Sequence, residues 1–326
     1  SQVVYCGDNQ TSLLLASACG VDEAVVGTYD YALDVDGAPL SLFTSEGPDR
    51  DLDADLEPAA AVTPFVLYLA DDGRDRNDGR TEATALKTLQ RANDLLVDRF
   101  GENGQGLDRP VEVRVKAGRY VGQYTAWKFS HRSWRVKIKG YGKRKPAFIG
   151  CTAAPRDCTD TRAWVQVWLP VGRDTNLTFD NLKVAKYFLA MRITGGDDRP
   201  EWNGNNTIAN CFFFNIGSRF TDNPAKTWSP AVLSIRNSRD NRIVNNRFER
   251  IANRYSHQNR WLHSTYLSHW ANDNVVKGNT LVDTAADFHL RDASDRNRFV
   301  DNRITASFTT ALVTEWEDSG EAGSCD

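Results

Sequence analysis

The chain repeats Asn241-Arg-Ile-Val-Asn-Asn246 as Asn274-Val-Val-Lys-Gly-Asn279 and again as Asn297-Arg-Phe-Val-Asp-Asn302. Asn206-Thr-Ile-Ala-Asn-Cys211 is a fourth copy that ends in Cys, and Asn176 to Asn181 is an imperfect fifth. Asn tolerates a left-handed turn conformation, and its amide can bond to an Asn one coil below. The repeats therefore predict the stacked coils of a solenoid. Asn-rich loops of an ordinary β-sandwich are the alternative.

The spacing between the copies locates insertions into the coils. Asn279 and Asn302 are 23 residues apart, about one bare coil, whereas Cys211 and Asn246 are 35 apart and Asn246 and Asn279 are 33 apart. The additional residues must leave the coil as loops. Two such loops, 220–228 and 254–261, precede a strand, and a third insertion, 195–204, follows one.

A different order of elements precedes the repeats. Leu86 to Val97 places its apolar residues close to helical spacing. Short apolar runs on either side of it predict strands, namely Phe65–Leu69, Val111–Val115, Trp134–Lys139 and Pro146–Gly150. Ala117-Gly-Arg-Tyr120 follows the second run, and Gly140-Tyr-Gly142 follows the third.

This succession resembles the opening of the parallel β-helix proteins of the pectate-lyase-like superfamily, over about residues 65–318. The resemblance implies an all-β fold, a right-handed parallel β-helix (solenoid) with a short N-terminal capping helix. It further implies an acidic polysaccharide as partner, and calcium as a cofactor, because many enzymes of this kind bind substrate carboxylates through it.

Two regions are expected: an N-terminal extension and acidic linker, 1–62, and a β-helix domain, 63–326. The linker is the acidic, proline-containing stretch Glu46–Pro58. The near balance of 40 basic and 43 acidic side chains argues against a nucleic-acid partner. No run of about 18 apolar residues occurs, so no membrane span is expected.

Six cysteines suit disulfides in an oxidising compartment, so we expect a secreted, extracellular protein. Cys151 with Cys158 and Cys6 with Cys19 are plausible short loops, which leaves Cys211 and Cys325. Six reduced, buried thiols are the alternative. No closely spaced pair of the Cys-x-x-Cys type supports a zinc site.

Four successive strands carry the candidate surface, namely Leu189–Ile193, Leu233–Arg236, Thr265–Ser268 and Phe288–Arg291. Alternation places one residue of each strand inside: Met191, Ile235, Leu267 and Leu290. Two outward rows are then expected, Ala190, Ser234, Tyr266, His289 and Arg192, Arg236, Ser268, Arg291. Since coils are about 4.8 Å apart, Tyr266 and His289 should be adjacent. By the same alternation His263 and His269 face inward, and a one-residue change of register would exchange the two faces.

These outward side chains suit β-elimination from a uronic acid. Arg236 or Arg291 would neutralise the carboxylate and acidify the C5 proton. His289 would remove that proton, because its ordinary pKa lies near working pH. Tyr266 would protonate the leaving oxygen, or would itself act as base if nearby arginines favour its charged form. We therefore predict four catalytic residues, namely Tyr266, His289, Arg236 and Arg291.

Exposed aromatic rings and guanidinium groups suit a sugar chain that bears carboxylates. The predicted substrate-binding set is Arg192, Trp202, Trp228, Tyr255, His257, Arg260, Trp261 and His263. For calcium, the loop residues Asp197, Asp198 and Asp222 are the candidates, whereas 71–78 lacks the features of an EF-hand and is predicted to be a turn.

Three other functions fit the same surface. A glycoside hydrolase would need paired acids, for which Asp287, Asp292 and Glu315 are available. A uronate C5-epimerase also removes the C5 proton, and its Asp-Pro-His motif is loosely echoed by Asp287-Phe-His289. A carbohydrate-binding or structural β-helix would hold the polymer without cutting it.

Overall fold

The computed structural model describes residues 62–152, 163–168, 171–196, 201–221, 228–309 and 312–315, together with the backbone of three short N-terminal strands. These N-terminal strands are Gln2–Val4, Leu13–Leu15 and Leu40–Leu42. Within the described residues no helix has both the length and the apolar character needed to cross a membrane.

Three long sheets run the length of the described coils. Sheet I consists of Thr125–Trp127, Ala163–Val167, Leu189–Thr194, Ala231–Arg236, His263–Ser268, Ala286–Arg291 and Leu312–Glu315. Sheet II consists of Phe65–Leu69, Val111–Lys116, Val136–Tyr141, Leu177–Asp180, Thr207–Ala209, Arg242–Val244, Val275–Lys277 and Arg298–Val300. Sheet III consists of Arg119–Val121, Ala147–Ile149, Lys183–Ala185, Phe212–Phe214, Arg247–Ile251, Thr280–Thr284 and Asn302–Ser307, with Leu40–Leu42 at its edge.

Neighbouring strands in these sheets come from successive coils and pair in parallel, except that Leu40–Leu42 is antiparallel to Asn302–Ser307. Each coil thus adds one strand to each sheet, and the apolar side chains fill the space between the three sheets. The expected parallel β-helix is confirmed. A small parallel sheet of Arg173–Asp174, Asn203–Gly204 and Ser238–Arg239 lies between sheets I and II along the chain.

Two asparagine ladders connect the coils, as the repeats predict. In the first, the Asn241 amide nitrogen donates to Asn274 over 2.8 Å, and Asn274 donates to Asn297 over 2.8 Å. In the second, Asn246 donates to Asn279 over 3.0 Å, and the ladder continues to Asn302. These side chains are buried, and each rung satisfies a polar group that water cannot reach.

The left-handed conformation belongs to the residue before each ladder position, which corrects the sequence interpretation. Asn205, Asp240 and Asn245 have φ of 55°, 54° and 55°, and each directly precedes a ladder position. The imperfect fifth copy is displaced by one residue for the same reason. Asn176 and Asn181 themselves have positive φ, so this copy contributes turn residues rather than rungs.

The predicted capping helix is present as Leu89–Phe100 and packs against the first strands of sheets I and II. It begins three residues later than the apolar spacing suggested, because the Thr88 side chain caps it by accepting from the Arg91 backbone NH. Buried Asn93 accepts hydrogen bonds from the backbone of Lys128 and Phe129. The helix thereby covers an end of the coil whose strands would otherwise be unpaired.

Other expectations fall partly outside the described residues. Cys211 is a free, buried thiol, and burial raises the pKa of that thiol to about 12. Cys211 is not bonded to Cys151, which forms a disulfide of its own. Cys158 and the remaining cysteines lie outside the described residues, so their pairing stays a prediction, as does the boundary between the regions 1–62 and 63–326.

Candidate active site

One continuous row of outward side chains crosses sheet I. Strand pairing places Gln166 beside Arg192, Arg192 beside Ser234, Ser234 beside Tyr266, and Tyr266 beside His289. The prediction that Tyr266 and His289 are adjacent is confirmed. At about 4.8 Å a step, this row spans roughly 19 Å along the coil axis.

The register of Leu189–Thr194 differs by two residues from the sequence alignment. Met191 pairs with Leu233 rather than with Ile235, so Arg192, and not Ala190, shares the row of Tyr266. The 195–204 insertion separates this strand from the Asn repeat. The number of residues between strand and repeat, on which the alignment depended, therefore differs in this coil. A shift of two residues keeps the same face outward, so Arg192 remains on the predicted surface.

Strict alternation also fails near the start of the sheet I strands. Trp164 packs in the core 4.8 Å from the Phe148 ring, whereas Gln166, two residues later, bonds to the exposed Tyr124. In the same way His263 stacks on Tyr266, three residues away, with ring centroids 5.6 Å apart. The expectation that His263 faces inward is therefore wrong.

Three of the four predicted catalytic residues lie together. Arg291 Nη1 donates to the Tyr266 hydroxyl over 3.1 Å. The rings of Tyr266 and His289 pack edge to face, with centroids 4.7 Å apart. Arg291 Nε also donates to Asp292 over 2.7 Å. Asp292 is fully buried and lies 3.4 Å from His269 Nε2. The Arg291 guanidinium is thus held in place between a phenol and a carboxylate.

The two histidines form a hydrogen-bonded pair. His289 Nδ1 and His263 Nε2 are 2.9 Å apart, and both side chains are buried. Burial, and then the charge of His289, lower the pKa of His263 well below its ordinary value. A neutral His263 can accept a hydrogen bond from His289 or donate one to it. His263 therefore determines which ring nitrogen of His289 carries the hydrogen. His263 is 3% exposed, and its predicted contact with a substrate stays a prediction.

The fourth predicted catalytic residue, Arg236, belongs to the neighbouring row. It pairs with Ser268, so it lies one coil from Tyr266 and two residues further along the strand. Arg192 lies two coils from Tyr266. Burial, and then the positive charge of Arg236, lower the pKa of the Arg192 guanidinium. Two guanidinium groups held this close favour an anion between them.

Five of the predicted substrate-binding residues meet in one aromatic cluster, before the strand His263–Ser268. They are Trp228, Tyr255, His257, Arg260 and Trp261. Trp228 and Trp261 are 5.5 Å apart, His257 stacks on Tyr255 at 5.8 Å, and the Arg260 guanidinium lies 4.7 Å from the Trp261 ring. Tyr255 and Trp261 are exposed. The cluster forms on the short 3-10 helix Ser256–Trp261, which is the insertion predicted from the repeat spacing.

Trp202 lies elsewhere. The Arg239 guanidinium covers its ring at 3.2 Å from the centroid, beside the small sheet that follows the sheet I strands. The aromatic cluster precedes those strands, so the two groups flank opposite ends of the face.

Of the three acidic candidates, Asp287 and Asp292 are buried and bound within the protein, and the side chain of Glu315 lies outside the described residues. Asp287 is fully buried, its Oδ1 accepts from the Thr284 hydroxyl over 2.5 Å, and burial raises its pKa to about 7. Asp292 is bound by Arg291. Among the described residues no cluster of three or more His, Cys, Asp or Glu could hold a metal. The calcium candidates Asp197, Asp198 and Asp222 lie outside the described residues, and calcium stays a prediction.

The predicted turn at 71–78 uses its carboxylates for structure. Asp75 accepts from the Lys87 and Thr88 backbone, and Asp71 from that of Arg119.

Sequence reasoning did not predict the contacts of Asp292 and His269, which it considered only as a hydrolase acid and as an inward side chain, respectively. Each is the first of two consecutive residues with positive φ, His269 with Trp270 and Asp292 with Ala293. These pairs turn the chain as the strand ends, so His269 does not continue the alternation of the strand. No glycine marks the turn, and the sequence carried no signal for it.

No family model and no curated protein matches the sequence. Solved structures with a similar fold include pectate lyase Pel9A (14% identity, TM-score 0.47), a GH136 lacto-N-biosidase from Eubacterium ramulus (12%, 0.46) and a rhamnogalacturonan lyase (11%, 0.39). The matches cover 81%, 74% and 77% of this chain, which spans only 58%, 52% and 61% of those chains. They are likenesses of fold. By its own strand pairing, the chain is a parallel β-helix protein of the shape that the pectate-lyase-like resemblance implied.

Proposed function

We propose that this protein is a secreted polysaccharide lyase, which binds an acidic, uronate-containing polysaccharide across sheet I and cleaves it by β-elimination. One observation carries the proposal: the hydroxyl of Tyr266 accepts a hydrogen bond from Arg291 and lies beside His289 on a rigid sheet. A phenol, an imidazole and guanidinium groups are together the groups that elimination needs.

The contacts favour Tyr266 as the base. A guanidinium that donates to a phenol oxygen stabilises the phenolate, which then takes the C5 proton. The bond from C4 to the leaving oxygen breaks as the C4–C5 double bond forms. His289, as the imidazolium, gives its Nε2 proton to that oxygen and becomes neutral, while its Nδ1 hydrogen stays directed to the neutral His263.

Arg236 is the better candidate for the substrate carboxylate. Arg291 is bound to the buried Asp292, which offsets its charge and fixes its direction. Arg236 lies diagonally across from Tyr266 on the same face, so a carboxylate next to the reacting carbon comes within its range.

A binding protein without catalysis is the second candidate function, and a specific observation favours it. His289 is only 5% exposed, whereas Trp261 and Tyr255 of the aromatic cluster are 38% and 48% exposed. The surface thus offers more area for holding a sugar chain than for reaching the imidazole.

The test is incubation of the purified protein with pectate, alginate, glucuronan and chondroitin, with and without a chelator. Elimination creates unsaturated uronate ends, and their ultraviolet absorbance reports the reaction. We expect absorbance with at least one polymer, and its loss in the chelator would assign calcium to the reaction. Reducing ends without absorbance would indicate hydrolysis, altered sugar stereochemistry without cleavage would indicate an epimerase, and tight binding without product would indicate the binding protein. Detection of the protein in the culture medium tests secretion.

A further inference from the structure

Three polar and aromatic side chains cluster at the far end of the outward row, away from Tyr266. Gln166 lies in this row beside Ala126 of the first sheet I strand, and three strand steps, about 14 Å, separate it from Tyr266. Its Oε1 accepts hydrogen bonds from the Tyr124 hydroxyl over 3.1 Å and from Trp168 Nε1 over 3.0 Å. One amide oxygen thus holds the polar edges of two aromatic side chains.

The faces of these two rings remain open. Trp168 is 52% exposed and Tyr124 is 46% exposed, and neither ring stacks on another within the described residues. An exposed indole is costly in water, and a ring that is fixed by its polar edge presents a flat apolar surface. Such a surface suits the apolar face of a sugar ring.

A positive charge lies next to this aromatic surface. Arg192 pairs with Gln166 in the adjacent strand, and Tyr124 is close enough to influence its titration. The Arg192 guanidinium makes no ion pair within the described part of the chain, and the positive charge of Arg236 lowers its pKa. The fold therefore keeps a half-buried cation beside two ring faces.

We propose that Tyr124, Gln166, Trp168 and Arg192 form a second sugar-binding subsite, which takes another uronate of the polymer that reacts at Tyr266. The sugar ring stacks on Trp168, and its carboxylate meets Arg192. This subsite rests on the proposed function, because it extends the same substrate along the same row. The polymer then lies across the strands, parallel to the coil axis.

The proposal predicts a dependence on chain length. A polymer spans the 14 Å from Tyr266 to Gln166, whereas a disaccharide at Tyr266 does not reach Trp168. The second subsite therefore strengthens the binding of long chains and leaves that of a short chain at Tyr266 unchanged, since linked contacts add only where both are engaged at once.

The experiment compares Trp168→Ala, Trp168→Phe and Arg192→Gln with the wild type, using titration calorimetry on pectate, alginate, glucuronan and chondroitin and on their disaccharides. For a polymer that the wild type binds, we expect Trp168→Ala to weaken affinity about tenfold, Trp168→Phe to restore most of it, and Arg192→Gln to weaken it and reduce its salt dependence. The KM of a disaccharide that is cleaved at Tyr266 should stay equal. Phe308→Ala, which removes an exposed ring directly after the last strand of sheet III, is the matched control.

Unchanged polymer affinity in Trp168→Ala would overturn the subsite, as would a wild type that binds none of the four polymers. Ultraviolet product measured in parallel separates this result from the proposed function. Affinity that depends on Trp168 without product retains the subsite and rejects the lyase. Product with unaltered affinity in Trp168→Ala retains the lyase and rejects the subsite.

Discussion

Arg291 donates to the hydroxyl of Tyr266 over 3.1 Å, although 25 residues separate them in the sequence. The stacking of coils makes them neighbours, because the strands Ala286–Arg291 and His263–Ser268 pair in parallel. The bond places a fixed positive group at the oxygen that the proposed reaction uses, and Asp292 holds that group from behind.

Tyr266→Phe should reduce the rate of ultraviolet product formation at least about 100-fold, the usual lower range for loss of an acid–base group. Polymer affinity should change less than about threefold, because the ring remains. Tyr141→Phe removes a hydroxyl on sheet II and should leave the rate unaltered. Equal rates in Tyr266→Phe and the wild type would exclude this tyrosine as the reacting group.

His263 is expected to act through His289. His263→Leu removes the 2.9 Å bond and should lower kcat about tenfold while KM stays nearly constant, and it should displace the pH profile of kcat. His263→Gln keeps a hydrogen-bonding group there and should recover part of the rate. A purely structural role would instead lower thermal stability equally in both variants and leave the pH profile unmoved.

The buried Asp287 should make stability fall as pH rises. Its pKa is about 7 in the folded protein against 3.8 ordinarily, so between these values the unfolded chain has released a proton that the folded chain retains. The unfolded state is then favoured progressively, by up to about 4 kcal/mol at pH 7 and above.

Asp287→Asn removes this titration. Denaturant unfolding at pH 4 and pH 8 should show the variant gaining stability relative to the wild type as pH rises. Asp301→Asn replaces an exposed carboxylate and should show no such trend. A constant difference between wild type and Asp287→Asn across this range would contradict burial of the carboxyl.

Adjacent asparagines should differ sharply in their contribution to stability. Asn246 is 2% exposed; its side chain accepts from the Cys211 backbone and donates to Ile208 and Asn279. Asn246→Ala leaves buried polar groups unpaired and should cost on the order of 3 kcal/mol in the free energy of unfolding. Asn245 is exposed with φ of 55°, so Asn245→Gly should cost under about 1 kcal/mol. Similar losses in the free energy of unfolding of both variants would show that the ladder does not stabilise the fold.

The repeats and apolar alternation sufficed to predict the coils, the insertions, and the neighbourhood of Tyr266 and His289. They could not place Arg192, because the 195–204 insertion interrupts the count between strand and repeat. Nor could they place His263, because alternation assumes a straight strand, and sheet I departs from alternation between the positions of Trp164 and Gln166.

The sequence by itself determined that the chain coils, since Asn recurs at corresponding places of successive turns, where its side chain can bond to its counterpart in the next turn. Tertiary structure alone decided which side chains meet across the coils. Register between parallel strands depends on the total path of each coil, including loops whose length carries no periodic signal. A shift of two residues keeps the apolar side chains on the inner face while it changes the neighbours on the outer face.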